Sequence, residues 1–304
     1  MLAIKSQIYL FFSGLMSGDG VLKVKALFFT GILLSGLFSE CLALSLGQKW
    51  SMVTQPTRSG GNAQSIGTYN AGCISGAVSV PANGIGYQMM RLSRKRSFGH
   101  PDLKQFIEEL GQTTANQKLG TLLIGDLGQP RGGPTLSGHR SHQSGLDVDI
   151  WFLLSKQAAS RSLAFNERET WNAPSVLAAN SDSINYTQWS QANEKILETA
   201  ARMPDVDRIF VNPSVKRELC TRRTSHDWLR KIRPWWKHDD HFHVRLKCPK
   251  DNKYCQGQET LPPGDGCDAG LAWWFTEEAK HPAPPKTPPK PLVLPALCDS
   301  VLKE

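Results

Sequence analysis

Two short windows hold five of the eight histidines of this chain. Their histidines and acidic residues are His139, His142, Asp147 and Asp149 in SGHRSHQSGLDVDIWF, and His238, His241 and His243 in KHDDHFHVRL. Imidazole and carboxylate groups are common zinc ligands, and polar groups that are costly to bury need a shared partner. The two windows therefore predict a metal site, and the chemistry typical of such a site is hydrolysis by an activated water.

Three of these residues have a spacing that suits a catalytic zinc site, which takes three protein ligands and keeps a fourth position for water. His142 and Asp149 are seven residues apart across a turn at Gly145, so a loop residue and a strand residue could converge on one ion. His243 would complete the set from the second window. His241, two residues before it on the same strand face, would line the same pocket as a base.

Other polar and aromatic residues have simpler interpretations. Three histidines outside the windows are expected to be structural: His100, His226 and His281. The Asp239 and Asp240 pair could be a solvated turn. Trp235 and Trp236 could belong to the core, or could form the wall of a substrate groove beside the second window.

Composition limits the class of protein. With 304 residues, 40% of them hydrophobic and 20% charged, the chain can form one large domain or two small ones around a packed core. The net charge of +8 suits a polyanion: a nucleic acid, an anionic membrane or an acidic cell-wall polymer. The sequence has no zinc-finger pair, RNP-type strand or basic helix, so we expect no nucleic-acid partner.

The N-terminus has the pattern of an export signal. Lys23 and Lys25 precede the apolar run ALFFTGILLSGLF, and Cys41 and Ala43 are spaced like the residues before a signal-peptidase site. The run is short for a membrane span, so we expect cleavage and no stable span afterwards, with an uncleaved anchor as the alternative. Residues 1–45 are thus predicted to be a signal peptide with a spurious extension before Val21, and the mature protein to be periplasmic.

Cysteine usage agrees with export. Removal of Cys41 leaves six of the seven cysteines, an even number that favours three disulfides. Cys248 and Cys255 could close a small loop, while Cys298 needs a long-range partner. A structural four-cysteine zinc site is disfavoured because no CxxC pair is present.

Hydrophobic periodicity predicts one α+β domain over residues 46–281. Helices are expected at 101–110, at 189–202 and from Pro213, and strands at 120–127, at LDVDIWF (146–152), at DRIFVNP (207–213) and at 241–246. Short strands and loops are expected over 45–90, and irregular structure over 153–188. Strand alternation places Asp147 and Asp149 on one face, and likewise His241 and His243. The tail at 282–304 begins as a polyproline-like segment and is anchored by Cys298.

Several motifs resemble known proteins. The HxxxxxxD pattern from His142 to Asp149, followed by HxH at His241 and His243, resembles the LAS group of zinc peptidases. More specifically, eight segments resemble the penicillin-insensitive murein endopeptidase family. They are FGHPDL, GTLLIGDLG, GHRSHQSGLDVDI, RIFVNP, DWLRKIRPW, HVRLKCP, GDGC and the proline-rich tail closed by a cysteine. The resemblance covers roughly residues 50–300.

The resemblance implies a fold, an activity and a site. The fold would be a LAS-type central antiparallel sheet with flanking helices and loops, stapled by disulfides Cys73–Cys298, Cys220–Cys267 and Cys248–Cys255. The activity would be penicillin-insensitive hydrolysis of D-alanyl–meso-diaminopimelyl cross-links in peptidoglycan. The zinc ligands would be His142, Asp149 and His243, with His241 as base.

Two further histidines match the family around the site. His139 and His238 would bind substrate, polarise its carbonyl or offer an alternative ligand. Some members hold a second metal with an aspartate and a histidine between the windows; here Asp182 is present without a histidine, so one zinc per site is expected.

Two rival functions use the same residues. A D-Ala-D-Ala carboxypeptidase would trim chain ends with the same zinc site, and a non-catalytic zinc protein would only bind the wall. In a non-catalytic wall-binding protein we expect the base to be lost, whereas His241 is present here. The choice between DD and LD bonds and the oligomeric state are left open.

Overall fold

The computed structural model describes residues 44–58, 62–136, 139–179, 182–222, 227–288 and 290–304. The predicted export signal, the alternative start and His226 lie outside these ranges. Within them, no helix combines the length and the apolar character that a membrane crossing requires. Residues from Leu44 to Glu304 form one compact unit.

A seven-stranded sheet carries both histidine windows. The strands are β1 (Gln64–Thr68), β2 (Ala71–Ser75), β3 (Val78–Ser79), β4 (Asn83–Gly84), β5 (Tyr87–Met89), β6 (Phe98–Gly99), β7 (Leu122–Ile124), β8 (Asp147–Trp151), β9 (Val206–Val211), β10 (Ile232–Pro234) and β11 (His241–Leu246). The large sheet has the order β10-β9-β11-β8-β7-β5-β4, while β1-β2 and β3-β6 form two small two-stranded sheets.

The centre of the sheet is antiparallel, as the fold prediction requires. β11 pairs antiparallel with both β9 and β8, and β8 pairs antiparallel with β7. The flanks differ, because β10 lies parallel to β9 and β5 lies parallel to β7. The predicted α+β class with a central antiparallel sheet is confirmed, and the two parallel pairs are additions at its edges.

Helices cover the sheet. They are α1 (Leu46–Ser51), α2 (Pro101–Asn116), α3 (Lys156–Ser160), α4 (Phe165–Thr170), α5 (Gln191–Arg202), α6 (Pro213–Arg222), α7 (Ala269–Trp273), α8 (Glu277–Lys280) and α9 (Leu297–Lys303), with 3-10 turns at Leu92–Arg94 and Asp227–Lys231. The apolar stripes of α2 and α5 enter the main core, including Phe106 and Leu110 from α2 and Ile196 and Leu197 from α5. Burial of these stripes holds the helices against the sheet.

Several predicted boundaries differ from the structure. Helix α2 starts at Pro101 as predicted but continues past Leu110 to Asn116 and buries Gly111 and Thr114 as well. At Gly111 a Cβ would lie 2.6 Å from the Ile85 oxygen, so this close approach requires glycine. The region 153–188 is not wholly irregular, since it contains α3 and α4. Helix α4 depends on Arg168, which donates to the carbonyls of Leu163 and Met89, a tertiary contact invisible to periodicity.

The three disulfides have the pairing that the resemblance implies: Cys73–Cys298, Cys220–Cys267 and Cys248–Cys255. The first bond fixes the C-terminal helix α9 against β2 within a small apolar cluster that includes Trp50 and Val301. Arg131 also donates to the Val301 carbonyl. The end of the tail is therefore part of the folded unit.

Candidate metal centre and catalytic cleft

The pairing of β8 with β11 places the polar residues of both windows side by side. Asp149 lies opposite His243, Trp151 opposite His241, and Asp147 opposite Arg245. Directly opposed residues project from the same face of a sheet, so these pairs form one polar face. The intervening residues Val148, Ile150, Phe242 and Val244 are buried in the core. The predicted face assignment is confirmed.

Asp149 lies at the centre of four imidazoles. Its Oδ1 is 3.0 Å from Nδ1 of His243, 3.4 Å from Nε2 of His142 and 3.7 Å from Nε2 of His241. Its Oδ2 is 3.5 Å from Nδ1 of His139. Burial raises the pKa of Asp149, but the neighbouring histidines outweigh burial and hold its pKa well below the usual range. The carboxylate is therefore an anion surrounded by nitrogen ligands.

The first window reaches Asp149 through a strained loop. His142 has a φ of 66°, in the left-handed region that residues other than glycine rarely adopt. Its backbone N–H donates to Oδ2 of Asp147 at 3.0 Å. Gly145 follows at φ 75°, where a Cβ would lie 2.6 Å from Ile74. The loop conformation thus requires both the Asp147 carboxylate and a glycine.

Asp147 also orients the second window. Its Oδ1 accepts hydrogen bonds from Nε2 of His243 at 3.0 Å and from Nε of Arg245 at 2.7 Å. Although burial raises the pKa of Asp147, the charges of Arg245 and His243 hold it below the usual range. With Nε2 of His243 donating to Asp147, its Nδ1 is the nitrogen that faces Asp149, and it would offer its lone pair to a metal bound there. Sequence reasoning gave Asp147 no role, although its position two residues before Asp149 on one strand face was a usable signal.

His139 has a similar carboxylate behind it. Its Nε2 lies 3.0 Å from Oδ2 of Asp126, an oxygen that Arg94 and Arg96 also contact at 3.0 and 2.9 Å. Burial raises the pKa of Asp126, but the hydrogen bond to His139 and the charges of Arg96 and Arg94 outweigh burial and lower the pKa to about 2. With Nε2 donating to Asp126, Nδ1 of His139 is the nitrogen that faces Asp149, and it would offer its lone pair to a metal bound there. Asp126 stands at the end of the predicted strand GTLLIGDL and was not anticipated.

His241 is oriented by its neighbour. Its Nδ1 lies 2.5 Å from Oδ1 of Asp240, so its Nε2 faces Asp149. Burial lowers the pKa of His241, but Asp149 and Asp240 outweigh it and raise the pKa to about 9. Interpreting the Asp239 and Asp240 pair as a solvated turn therefore overlooked the contact between Asp240 and His241.

His238 stands on the other side of His241, with ring centroids 4.9 Å apart. Burial lowers the pKa of His238 to about 4, helped by the charge of His241. Its Nδ1 donates to the Trp236 carbonyl at 2.9 Å, so its Nε2 is an acceptor. Neutral His238 can accept a hydrogen bond in the cleft but cannot donate one from Nε2.

Aromatic rings border the histidines. Phe210, which sequence reasoning missed, packs against the ring of His243 at 5.4 Å and against Trp235 at 5.9 Å. Trp235 is 55% exposed, so it is not a core residue. Trp236 packs edge-on against Trp274 at 5.4 Å. Trp235 is thus joined to the histidine cluster through Phe210, while Trp236 packs on Trp274.

The residues fit a metal ion. Both ring nitrogens of His142 and Oδ1 of Asp149 are buried without a hydrogen bond to any described residue. Ligand atoms of His139, His142 and Asp149 all lie within 4.8 Å of one another. His243 adds a fourth lone pair beside the same oxygen. Buried polar atoms without partners are costly, and a cation among them would satisfy Oδ1 of Asp149 and one ring nitrogen of His142.

The remaining predicted histidines lie away from this cluster. His100 is buried and caps α2, accepting from the backbone N–H of Asp102 at its Nδ1. His281 is largely exposed, with a side-chain exposure of 78%. Asp182 binds Lys280 at 2.7 Å.

Comparisons with known proteins agree with this geometry. The family model for penicillin-insensitive murein endopeptidase matches residues 65–303. A curated relative of that name from Klebsiella pneumoniae subsp. pneumoniae is 43% identical over 258 residues, covering 84% of this chain and 91% of the relative. One from Escherichia coli O157:H7 is 41% identical over 278 residues, covering 90% and 98%. The chain belongs to the penicillin-insensitive murein endopeptidase family.

Proposed function

We propose that this protein is a zinc-dependent endopeptidase that hydrolyses D-alanyl–meso-diaminopimelyl cross-links in peptidoglycan. The observation that carries the proposal is the buried Asp149 carboxylate, surrounded by histidine lone pairs in a chain of this family. The protein would act in the periplasm, and the export signal predicted in the first 45 residues would direct it there.

The proposed ligands are His142, Asp149 and His243, with His139 as a possible fourth. This donor set of imidazoles and one carboxylate suits zinc, which takes tetrahedral nitrogen and oxygen ligands. The carboxylates of Asp147 and Asp126 would fix the tautomers of His243 and His139 from behind. Zinc held there would acidify a water molecule and polarise the scissile carbonyl. A single zinc per site stays a prediction.

His241 is the proposed base. Its Nε2 faces the cluster and would accept the proton of the attacking water, while Nδ1 keeps its hydrogen bond to Asp240. A divalent cation beside Asp149 would offset the negative charge that raises the pKa of His241, and so bring the imidazole towards its neutral form.

The other proposed contacts bind substrate. We assign His238 to the catalytic cleft as an acceptor for a substrate N–H, since its Nδ1 proton is held by the Trp236 carbonyl. Trp235 and Trp236 would form one wall of the substrate groove. The mechanism uses no serine or cysteine nucleophile, so a β-lactam, which acylates serine, has no target here.

The test is digestion of defined cross-linked muropeptide dimers by the purified mature protein, read by mass spectrometry with and without a zinc chelator and penicillin. The proposal expects conversion of dimers to monomers that the chelator stops and penicillin does not. Loss of only a terminal D-Ala would indicate a carboxypeptidase instead. Zinc binding without any cleavage would indicate a wall-binding protein.

A further inference from the structure

The basic segment RLSRKR at residues 91–96 borders the cleft. The proposed metal chemistry gives no role to its arginines. A cavity of 370 Å³ is lined by His139, Asp149 and His241 together with Arg91 and Arg94. The proposed base, two possible ligands and two guanidinium groups therefore share one space.

Two chains of contacts place these arginines close to the proposed chemistry. Arg94 contacts Asp126, which binds His139, which faces Asp149. Independently, the Cζ atom of Arg91 lies 5.8 Å from the centre of the Trp151 ring.

Trp151 connects Arg91 to the site directly, because it is paired with His241 across the two central strands. One residue thus stands between Arg91 and His241, namely Trp151, and one residue stands between Arg94 and His139, namely Asp126.

The cavity carboxylates have other cations to neutralise them. Asp126 is bound by the largely buried Arg96, Asp149 faces the histidines and the proposed metal, and Asp240 binds His241. Glu169 stands nearby and accepts from the backbone N–H and hydroxyl of Ser93, at 2.9 and 2.6 Å. The three carboxylates that line the cavity therefore have partners other than Arg91, and Asp126 keeps Arg96 and His139 if Arg94 turns to a ligand.

The two arginines retain donors for a ligand. Arg91 donates from Nη2 to two neutral acceptors, the Trp171 carbonyl at 2.6 Å and Oδ1 of Asn172 at 2.9 Å. The side chain of Arg94 is 47% exposed and uses Nη1 on Asp126. A guanidinium carries five N–H donors in a planar fork that matches a carboxylate, so each arginine has donors to spare.

The backbone holds this segment in an uncommon conformation. Arg91 and Lys95 flank the 3-10 turn Leu92–Arg94 with φ values of 54° and 52°. The backbone N–H of Arg91 donates to the Arg168 carbonyl. Left-handed non-glycine residues are costly and persist where surrounding contacts fix them, which keeps Arg91 and Arg94 directed at the cavity.

We propose that Arg91 and Arg94 form a carboxylate-binding subsite that recognises the leaving side of the scissile bond. The inference rests on the proposed function. In a D-alanyl–meso-diaminopimelyl cross-link, the carbon that bears the acylated amine also bears a free carboxylate. Standard bond lengths place that carboxylate within about 4 Å of the scissile carbonyl carbon, so it must lie beside the metal centre during hydrolysis.

The experiment compares two cross-linked dimers that differ only in this group, one with the free carboxylate and one with the carboxamide. Each is digested by the wild-type protein and by the variants Arg94→Gln and Arg91→Gln, and kcat/KM is measured. Lys95→Gln is the matched control, because it removes the same charge from the same segment outside the cavity lining. Zinc content and thermal unfolding verify that the variants are folded.

We expect Arg94→Gln and Arg91→Gln each to lower kcat/KM for the carboxylate dimer by about 10- to 100-fold, the range of a charge-assisted hydrogen bond. The same variants should change cleavage of the carboxamide dimer by less than about 3-fold, and Lys95→Gln should change neither. Equal losses on both dimers, or equal cleavage of both dimers by wild type, would overturn the subsite. Failure of the wild type to cut either dimer would instead refute the proposed function.

Discussion

The two histidine windows hold their side chains in different ways. His243 lies in β11, an extended strand that is hydrogen-bonded to β8 on one side and β9 on the other. His139 and His142 lie on a loop, where His142 has a left-handed backbone that is tied to Asp147 by one hydrogen bond. Sheet register therefore fixes His241 and His243, whereas side-chain contacts position His139 and His142; His238, which precedes β11, also has a left-handed backbone, with a φ of 50°.

The comparison shows that one carboxylate joins the two kinds of support. Asp147 binds the backbone of His142 through Oδ2 and the ring of His243 through Oδ1. The strand supplies an accurate position for Asp147, and Asp147 transmits that position to the loop. The mutations below separate the strand-fixed groups from the loop-fixed groups.

Replacement of a strand-fixed ligand should have the largest effect. His243→Ala leaves the sheet pairing possible but removes a lone pair beside Asp149, so we expect loss of bound zinc and a fall in kcat/KM of at least about 10,000-fold. Metal analysis and dimer digestion measure both. Retention of stoichiometric zinc with high activity would show that the first window alone makes the site.

Replacement of the proposed base should separate metal binding from turnover. His241→Ala removes a group whose Nε2 faces the site but leaves His142, Asp149 and His243 in place. We expect zinc to remain and kcat to fall by about 100- to 10,000-fold. Full activity in this variant would mean that another group accepts the proton.

Replacement of the carboxylate behind both windows should have an intermediate effect. Asp147→Asn keeps the shape but weakens the acceptor for His142 and His243, so we expect zinc affinity to fall by about 10- to 100-fold. Competition with a chromophoric chelator measures the affinity. The control is Asp126→Asn: among the clustered histidines Asp126 contacts His139 alone, so this variant should change zinc affinity less. Equal effects of the two variants would contradict the special position of Asp147.

The smallest expected effect is on the free energy of unfolding at acid pH, through Asp126, the carboxylate that holds the loop residue His139. The pKa of Asp126 is about 2 in the folded protein, so the unfolded state binds its proton first as the pH falls. Its stabilising contribution is therefore present above about pH 4 and is lost as the pH falls through about 2.

This contribution is about 2 kcal/mol. The test is denaturant unfolding of metal-free wild type and Asp126→Asn across this range. The difference in unfolding free energy between the two should be constant above about pH 5 and should shrink on acidification. A difference independent of pH would mean that the charge of Asp126 contributes nothing.

Local patterns predicted the strands that carry the site and the starts of two helices, but not β10 or the short helices α1, α3 and α4. Alternation in LDVDIWF and HFHVRL predicted which side chains share a face, and Pro101 and Pro213 marked two helix starts that the structure confirms. These features depend on neighbours in sequence. The family resemblance implied the disulfide pairing, which spacing alone left open.

Partners distant in sequence were beyond prediction. Asp147 and His243 are 96 residues apart in sequence, and Asp126 and Arg94 are 32 residues apart. Nothing in either local pattern specifies that these groups meet, because their contacts follow from the register and order of strands in the sheet. For the same reason Phe210 was predicted only as part of a strand, although it borders His243.

The most direct test of the account is a crystal structure of the zinc-loaded protein, with anomalous scattering recorded on both sides of the zinc absorption edge. We predict one zinc peak with His142, Asp149 and Nδ1 of His243 at about 2.0–2.2 Å, so that strand and loop contribute to the same ion. A zinc ion held by the first window alone, through His139, His142 and Asp149 and without His243, would contradict this account.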